Sequence, residues 1–270
     1  MQIKNNKVRA DVIVLIPHFN NNEKLIQSIL SIDEDIQVDV IIVDDGSKNI
    51  PDIEVIKSQY KNGSVWMEVL EQNKGIEHAL NKGLEVIEKS SYKYIARLDC
   101  GDFNKINKYT KQFSYLEQNL DVHLLGTWAD MVDEDGAYLY QLKHPIFYKR
   151  ISNKMFNNSM FIHPTVMFRT EIIKIVGNYP VNYKAAEDYA FFFKIIKHFK
   201  AENFPESLLV YEINSNSISS TKRKQQVKNR IKIICDNFYF GIYPVYGLFR
   251  NSIIYLMPSS LIKLLKTIIK

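Results

Sequence analysis

Cysteine is scarce in this 270-residue chain, which contains only Cys100 and Cys235. Two cysteines so far apart in sequence form neither a disulfide framework nor a zinc-ligand pattern. We therefore expect both thiols to be reduced, as in a cytoplasmic protein. Residues 1–10 are polar and lack the apolar segment of a signal peptide, which favours the same compartment.

Glycine-rich phosphate-binding loops are also missing, because the sequence contains neither the dinucleotide fingerprint nor the P-loop. If the chain binds phosphate, another group must recognise it, and a metal ion held by carboxylates is one such group. Hydrophobic residues make up 46% and charged residues 24% of the chain. These values are typical of globular proteins and exclude the disordered and fibrous classes.

Apolar runs and helical patterns alternate in the first hundred residues. Strands are predicted at 12–17, 38–43, 65–70 and 92–98, and helices at 23–32, 53–60 and 76–88. This alternation is typical of an α/β fold in which helices cover both faces of a mostly parallel sheet. Further helices are predicted at 105–119 and 186–198, and Asp135-Gly136 predicts a hairpin turn.

Two clusters of carboxylates follow predicted strands. Asp44-Asp45-Gly46-Ser47 comes after the apolar run 40–43, and Asp99-Cys100-Gly101-Asp102 comes after 94–98. Ligands of open α/β sheets bind outside the carboxyl ends of the strands. Acidic groups at that edge suit a hard cation and a nucleotide, which indicates chemistry on a nucleotide-activated substrate. Taken alone, each cluster is also consistent with ordinary turn chemistry.

Several short motifs occur in a characteristic order. They are Ile16-Pro17-His18-Phe19-Asn20, Asp44-Asp45-Gly46-Ser47, Asn73-Lys74-Gly75 with its continuation to Asn81, Arg97-Leu98-Asp99-Cys100-Gly101-Asp102 and Ala186-Glu187-Asp188-Tyr189. Together they resemble the inverting glycosyltransferases of family 2 over roughly residues 11–219. The resemblance implies a GT-A fold, which is Rossmann-like, a nucleotide-sugar donor and a divalent cation, Mn²⁺ or Mg²⁺. We predict a catalytic domain at 1–215 and a basic helical extension at 216–270.

The resemblance also implies a donor site in the loops that follow the strands. Its residues would be Pro17, Phe19, Asn20, Asp45, Asn73, Gly75, Arg97 and Asp99. Phe19 replaces the usual tyrosine and keeps an aromatic face on which a base can stack. Asp45 would accept a hydrogen bond from a ring N–H, which favours uracil or thymine. Gly75 would let the backbone approach the ligand, and core packing or turn chemistry is the alternative for these residues.

The metal motif departs from the family pattern of two aspartates separated by one residue. Gly101 occupies the second position, so Asp99 and Asp102 are the available carboxylates, and which of them ligates the metal stays open. One carboxylate suffices if the diphosphate of the donor and water complete the shell. Arg97 either orients the Asp99 carboxylate, contacts phosphate or forms a structural ion pair.

Asp188 matches the general base of the family, which takes the proton of the acceptor hydroxyl. Glu187 would hold the acceptor or flank the base; alternatively, both acids stabilise a helix N-terminus through its dipole. His163 lies in a segment that resembles one near the acceptor site, where it contacts acceptor or metal, or is a turn histidine before a proline. The Gln-x-x-Arg-Trp motif of processive members is absent, which favours addition of a single sugar.

Much of the net charge of +5 comes from the C-terminal part of the chain. Near its end, one helical face carries Leu261, Leu264, Leu265, Ile268 and Ile269, while Lys263, Lys266 and Lys270 lie off it. This pattern is typical of a helix in a membrane interface, because no uncharged stretch reaches the ~20 residues of a spanning helix. We expect residues 239–270 to contact an anionic membrane surface, or else the core of the protein itself.

We therefore expect a metal-dependent enzyme that moves one hexosyl or N-acetylhexosaminyl group, with inversion, from a UDP- or dTDP-sugar to a hydroxyl. The resemblance suggests a glycan or lipid-linked acceptor in capsule or lipopolysaccharide biosynthesis, at the inner face of the cytoplasmic membrane. Nucleic acid is not an expected partner. The alternatives are a nucleotidyltransferase, which would normally have a basic Gly-rich loop, and a non-enzymatic membrane or nucleic-acid binding module.

Overall fold

The computed structural model describes residues 8–213 and 222–258. Within these residues the strands are β1 Val8–His18, β2 Ile36–Asp44, β3 Val65–Val69, β4 Tyr94–Arg97, β5 Phe103–Asn104, β6 Val122–Val132, β7 Tyr138–Leu142, β8 Met167–Arg169 and β9 Lys200–Glu212. The helices are α1 Asn22–Leu30, α2 Ile53–Gln59, α3 Ile76–Glu88, α4 Lys108–Gln118, α5 Tyr148–Lys154, α6 Ile173–Val176, α7 Glu187–His198, α8 Arg223–Asp236 and α9 Ile242–Leu256. Two short 3₁₀ turns, His163–Thr165 and Thr170–Ile172, flank β8.

The described strands form one sheet in the order β3-β2-β1-β4-β8-β6-β9-β5, with β7 paired to β6. The first four strands of this order are mutually parallel, as the alternation of strands and helices predicts. The short strand β8 then runs antiparallel to both β4 and β6, so the second half of the sheet is mixed. The α/β prediction is confirmed. The N-terminal half of the sheet is entirely parallel, and the other half contains one parallel pair, β6 with β9, among antiparallel ones.

Both faces of the sheet are covered because side chains of the inner strands alternate between them. On β1, Ile13 and Leu15 belong to a core cluster that includes α3 and α7. Val12 and Val14 belong to the opposite cluster, which includes α1, α2 and α4. Burial on both faces explains why the strands read as continuous apolar runs in the sequence.

The C-terminal helices α8 and α9 form a hairpin on this core. Ile233 and Ile234 of α8 are buried in the cluster that contains α7. The Arg223 guanidinium at the start of α8 donates to the carbonyl oxygens of Ile254 and Met257, at the end of α9. The predicted domain boundary at 215/216 and the apolar face at 261–269 lie outside the described residues.

Candidate active site

The carboxyl ends of β1, β2 and β4 meet at one edge of the sheet. His18, the last residue of β1, is the register partner of Asp44, the last residue of β2. Leu15 of β1 is opposite Arg97, the last residue of β4. The loops that follow these strands carry most of the predicted donor residues, and the fold brings them together at this edge.

A buried histidine fixes the first of these loops. The backbone N–H of Asn21 donates to Nε2 of His18 at 3.1 Å, so the proton of the neutral ring is on Nδ1. That proton is donated to Asp44 Oδ2, at a distance of 2.6 Å. The other oxygen of Asp44 accepts from the Ser47 N–H at 2.8 Å. Asp44 therefore holds its own loop and the loop after β1 in one arrangement.

Asn20, which is exposed, forms two further hydrogen bonds between the loops after β1 and β2. Its N–H donates to Ser47 Oγ at 2.8 Å, and its side-chain oxygen accepts from the Lys48 N–H at 2.9 Å. Asn20 has a positive φ of 52°, a conformation that asparagine tolerates better than most residues. Pro17 is buried below this turn, and the aromatic ring of Phe19 is exposed beside it.

Asp45 connects the second loop to the third. Its two carboxylate oxygens accept from the backbone N–H groups of Lys74 and Gly75, both at 2.9 Å. Burial raises the pKa of Asp45, and these two hydrogen bonds oppose the shift. Asn73 lies next to them and is exposed. Each oxygen keeps lone-pair capacity, so the carboxylate can accept a further hydrogen bond from a ligand.

Arg97 is fully buried under the metal motif. Its Nη2 donates to Asp99 Oδ1 at 2.5 Å, its Nη1 donates to the Leu15 carbonyl, and its Nε lies 3.3 Å from His163 Nε2. The contact with Asp99 agrees with two of the three predicted roles of Arg97, orientation of the Asp99 carboxylate and a structural ion pair. A fixed guanidinium leaves the second oxygen of Asp99 for a ligand.

Asp102 is buried beside Asp99 and is only half satisfied. Its N–H donates to the Asp99 carbonyl at 3.1 Å, and its Oδ1 accepts from the Glu212 N–H at 3.2 Å. Asp102 Oδ2 has no hydrogen-bond partner among the described residues. Burial, and then the charge of Asp99, raise the pKa of Asp102 well above its usual range. Arg97 therefore pairs with Asp99, while Asp102 Oδ2 is left unsatisfied among the described residues.

Asp99 and Asp102 together fit a divalent cation, because a cation satisfies an orphaned carboxylate oxygen and offsets the repulsion between the two acids. Within 8–213 and 222–258, no three His, Cys, Asp or Glu side chains are grouped so as to hold a metal ion. The protein would therefore supply few ligands itself, which is common for Mg²⁺ sites that keep water and substrate phosphate in the shell.

Lys108, at the start of α4, lies under the metal motif. Its fully buried ammonium donates to Asn104 Oδ1 at 2.9 Å and to the carbonyl oxygen of Pro164 at 2.8 Å, and it lies 3.4 Å from the Arg97 carbonyl. Burial lowers the pKa of Lys108 to about 7, while the charges of Glu34 and Asp102 act in the opposite direction. Lys108 ties β4, β5 and the turn at His163 together.

Glu187 and Asp188 form the first turn of α7. Burial, followed by the charge of Asp188, raises the pKa of Glu187 to about 8, and its Oε2 lacks a partner among the described residues. Burial also raises the pKa of Asp188, to which the negative charge of Asp99 contributes. Asp188 Oδ1 accepts from the Tyr189 N–H at 2.7 Å, a contact typical of an acid in the first turn of a helix. The ring of His163, which accepts from Arg97, lies 5.8 Å from the ring of Phe192 in α7, so this helix adjoins the arginine that holds the metal motif.

His163 is positioned by Arg97 and Tyr179 rather than by the acids of α7. Its Nε2 is 3.0 Å from the hydroxyl of Tyr179 and accepts from Arg97. Burial and the nearby charge of Arg97 lower the pKa of His163 well below its usual range, so the ring is neutral. These contacts support Arg97, and an acceptor contact of His163 stays a prediction.

Sequence reasoning missed three groups that support the site: His18, Lys108 and Arg230 of α8, whose positive charge lowers the pKa of Asp188. His18 lies inside a quoted motif, but its partner Asp44 is 26 positions away. Lys108 and Arg230 fall in helices where a basic residue normally indicates a solvent-exposed face. Lys108 is fully buried and Arg230 is half-buried because of tertiary packing, which no local pattern indicates.

Comparison with known proteins agrees with this geometry. Residues 13–177 match Glycosyl transferase family 2, which is more than half of the chain. A glycosyltransferase of Methanocaldococcus jannaschii is 31% identical over 271 aligned positions, covering 94% of this chain and 92% of that protein. The UDP-Gal:alpha-D-GlcNAc-diphosphoundecaprenol beta-1,3-galactosyltransferase of Escherichia coli is 26% identical over 230 positions, covering 85% of this chain and 81% of that protein.

The fold agrees as well. The crystal structure of a mannosyltransferase from Pyrobaculum calidifontis in complex with GDP-Man and Mn²⁺ superposes with a TM-score of 0.64, at 13% identity, over 97% of this chain and 80% of that one. The architecture is therefore that of GT-A enzymes, many of which use divalent cations. From its sequence match, its relatives and its fold, the chain is an enzyme that belongs to glycosyltransferase family 2.

Proposed function

We propose that this glycosyltransferase moves a single hexosyl or N-acetylhexosaminyl group from a UDP- or dTDP-sugar to an acceptor hydroxyl, with inversion. The observation that carries the proposal is the chain of contacts from the metal motif to α7. Arg97 donates to Asp99 and to His163, and the ring of His163 lies 5.8 Å from that of Phe192 in α7. Asp188 lies in the first turn of the same helix. An in-line displacement needs a base on the acceptor side and positive charge on the leaving-group side.

The donor base would lie against the loops after β1 and β2. Phe19 offers an exposed aromatic face, and Asp45 offers a carboxylate held by Lys74 and Gly75. A carboxylate acceptor suits the ring N–H of uracil or thymine, and guanine has a similar N–H at N1. The two loops therefore restrict the base of the donor but do not determine its sugar. Asn73 and Gly75 would approach the ribose or phosphate through the third loop.

Positive charge for the diphosphate would come from Mn²⁺ or Mg²⁺ held at Asp99, with Asp102 beside it. When bound, the cation neutralises charge on the leaving diphosphate. Asp99 is the better placed of the two, because Arg97 holds one of its oxygens while the carboxylate keeps partial exposure. Asp102 would act on the cation through its charge rather than as the main ligand, because its carboxylate is buried and one oxygen accepts from the Glu212 N–H.

Asp188 would accept the proton of the attacking hydroxyl. Its raised pKa makes it a stronger base than an exposed aspartate, and Tyr189 fixes the orientation of its carboxylate. With a pKa of about 8, Glu187 is protonated at neutral pH and can donate a hydrogen bond to the acceptor. The acceptor would be a glycan or a lipid-linked saccharide, since the E. coli relative is named for a diphosphoundecaprenol-linked acceptor. The pathway would be surface-polysaccharide biosynthesis in the cytoplasm, as the family resemblance suggests. The nucleotidyltransferase and non-enzymatic alternatives lapse, because the chain is a glycosyltransferase.

Substitution of Asp188 tests the assignment. We expect Asp188→Asn to lower the rate of sugar transfer, or of slow donor hydrolysis, at least a hundredfold because the base is lost, which is the usual range for acid–base catalysis. Binding of UDP should stay within about threefold of wild type, since Asp188 does not contact the donor base. Hydrolysis of a panel of nucleotide sugars with Mn²⁺, scored by released nucleotide, provides the assay.

The matched control is Asp33→Asn, which removes the same charge at an exposed position. It should retain wild-type activity. Full activity of Asp188→Asn would refute the base assignment, and failure of every nucleotide sugar in the panel would refute the donor class.

A further inference from the structure

Helix α9 buries its small and polar residues and exposes its large apolar ones, the reverse of the usual pattern. Its buried residues are small or polar: Pro244, Gly247 and Asn251. A Cβ atom on Gly247 would lie 2.2 Å from the carbonyl oxygen of Phe156, so only glycine allows this approach. Asn251 Nδ2 donates to the carbonyl oxygen of Asn157 at 3.2 Å. Because small residues face the protein, the large apolar side chains of α9 face outward.

These outward side chains form one continuous face, which we call the apolar stripe. It consists of Ile242, Val245, Tyr246, Phe249, Ile253 and Leu256, all exposed. Their spacing of three and four residues places them on the same side of a helix. Phe240, directly before α9, is 97% exposed and extends the stripe. A contiguous apolar surface of this kind marks an interaction site rather than ordinary scatter.

Positive charge is concentrated on the same helical hairpin as the stripe. Between positions 222 and 258 the sequence has seven Lys or Arg residues and a single acid, Asp236. Lys222, Lys224, Lys228 and Lys232 of α8 are exposed. Because Arg223 binds the carbonyl oxygens of Ile254 and Met257, its neighbours Lys222 and Lys224 lie beside the end of α9, next to Leu256. An apolar face with basic neighbours is complementary to an anionic lipid surface.

We propose that the apolar stripe and Phe240 insert into the interface of an anionic bilayer, with the lysines of α8 on the headgroups. Two other occupants fit the charge less well. A second copy of the chain would bring two basic surfaces together, and residues 259–270 add Lys263, Lys266 and Lys270 without any acid. Among the described helices, none is both long and apolar enough to cross a membrane, so α9 would lie along the surface.

The same hairpin supports the catalytic base. Ile233 and Ile234 of α8 pack in the core cluster that contains α7, and the charge of Arg230 acts on Asp188. Membrane docking through α9 would therefore hold the proposed base close to the bilayer, where lipid-linked saccharides reside. This inference deepens the proposed function, but vesicle binding requires neither donor nor catalysis, so either can fail without the other.

The test is cosedimentation of the full chain with vesicles of phosphatidylcholine alone or with about 30% phosphatidylglycerol. We expect binding to the anionic vesicles, weakened by salt. Phe240→Ser/Phe249→Ser should reduce it at least tenfold, and Lys222→Gln/Lys224→Gln should reduce it about tenfold on anionic vesicles only. The control is Leu120→Ser/Ile175→Ser, which removes two exposed aliphatic side chains elsewhere, at 68% and 61% exposure, and should bind as wild type does.

Light scattering and donor hydrolysis are measured on the same variants. Hydrolysis in free solution should be unchanged in the Phe240/Phe249 variant, because neither residue touches the cleft. The proposal is overturned if wild type does not bind anionic vesicles, or if the Phe240/Phe249 and control variants bind equally. A wild-type dimer that the Phe240/Phe249 variant abolishes, without vesicle binding, would instead assign the stripe to a second copy.

Discussion

At the scale of single residues, burial decides what the acids of the cleft can do. Glu187 and Asp188 are neighbours in sequence, yet burial raises the pKa of Glu187 to about 8, which leaves it protonated at neutral pH. Burial also raises the pKa of Asp188, but the Tyr189 N–H and the charge of Arg230 oppose that shift. These two contacts favour the charged form of Asp188, so the protonated Glu187 can serve as hydrogen-bond donor and Asp188 as base in the same site.

The raised pKa of Glu187 predicts a pH-dependent stability. In the unfolded chain Glu187 ionises near pH 4.5, but in the native state it does so only near 8, so its favourable contribution is complete below pH 4.5 and is lost as pH rises toward 8. Glu187→Gln should therefore equal wild type at pH 4.5 and exceed it by up to about 4 kcal/mol at pH 8, in metal-free buffer. Urea unfolding across this range measures the difference.

Glu88→Gln is the control for that experiment, because Glu88 is exposed at the end of α3. It should differ from wild type by the same small amount at every pH. A Glu187→Gln curve parallel to wild type would show that the carboxyl group ionises normally in the native protein.

Site residues could be predicted from the sequence where they belong to a short motif with a characteristic residue type and spacing. Asp45, Asp99 and Asp188 were found in this way. In the structure Arg97 holds Asp99, and Asp45, in the second loop, accepts from Lys74 of the third loop. His18 and Lys108 were not found, because nothing local distinguishes a buried imidazole or ammonium from an exposed one. Their partners lie 26 and 56 positions away, at Asp44 and Pro164.

At the scale of elements, the loops after β1, β2 and β3 behave as one unit. Asn20 joins the first to the second, and Asp45 joins the second to the third. Gly46 allows the close approach: its φ is 71°, and a Cβ there would lie 2.4 Å from the Gln72 carbonyl carbon. A side chain at this position would push the second and third loops apart.

Gly46→Ala tests this coupling against Gly136→Ala. Gly136 has a similar φ of 81°, but a Cβ there would meet nothing within 4 Å. Both variants should lose about 1 kcal/mol of folding stability from the left-handed backbone conformation. Only Gly46→Ala should also raise KM for the donor, by at least fivefold, since only it displaces Lys74 and Gly75 from Asp45. Equal KM values in the two variants would show that the loops act independently.

Elements with a clear period were predicted well and the others poorly. Helices α1, α3 and α7 fall within a few residues of the predicted ranges, because each has an amphipathic or dense apolar pattern. Strand β9 was missed, since Glu202, Asn203 and Pro205 interrupt its apolar alternation. It is a strand because it pairs with β6 along most of its length, a long-range contact that local sequence does not contain.

At the scale of the whole molecule, the mixed half of the sheet completes the cleft. Strand β9 ends at Glu212, whose N–H binds Asp102, and α7 begins at Glu187 immediately after the turn that follows β8 and α6. The fold class and the family follow from the sequence motifs. The sequence motifs do not predict that α8 connects the cleft to the apolar stripe, because this connection depends on which face of α9 is buried.

The most direct test of the account is the dependence of UDP binding on Mn²⁺, measured by titration calorimetry in wild type, Asp99→Asn and Asp188→Asn. If Asp99 holds the cation that neutralises the diphosphate, Mn²⁺ should tighten UDP binding at least tenfold in wild type and in Asp188→Asn. Asp99→Asn should abolish this gain while its affinity without metal stays unchanged. An equal effect of Mn²⁺ in wild type and in Asp99→Asn would contradict the account.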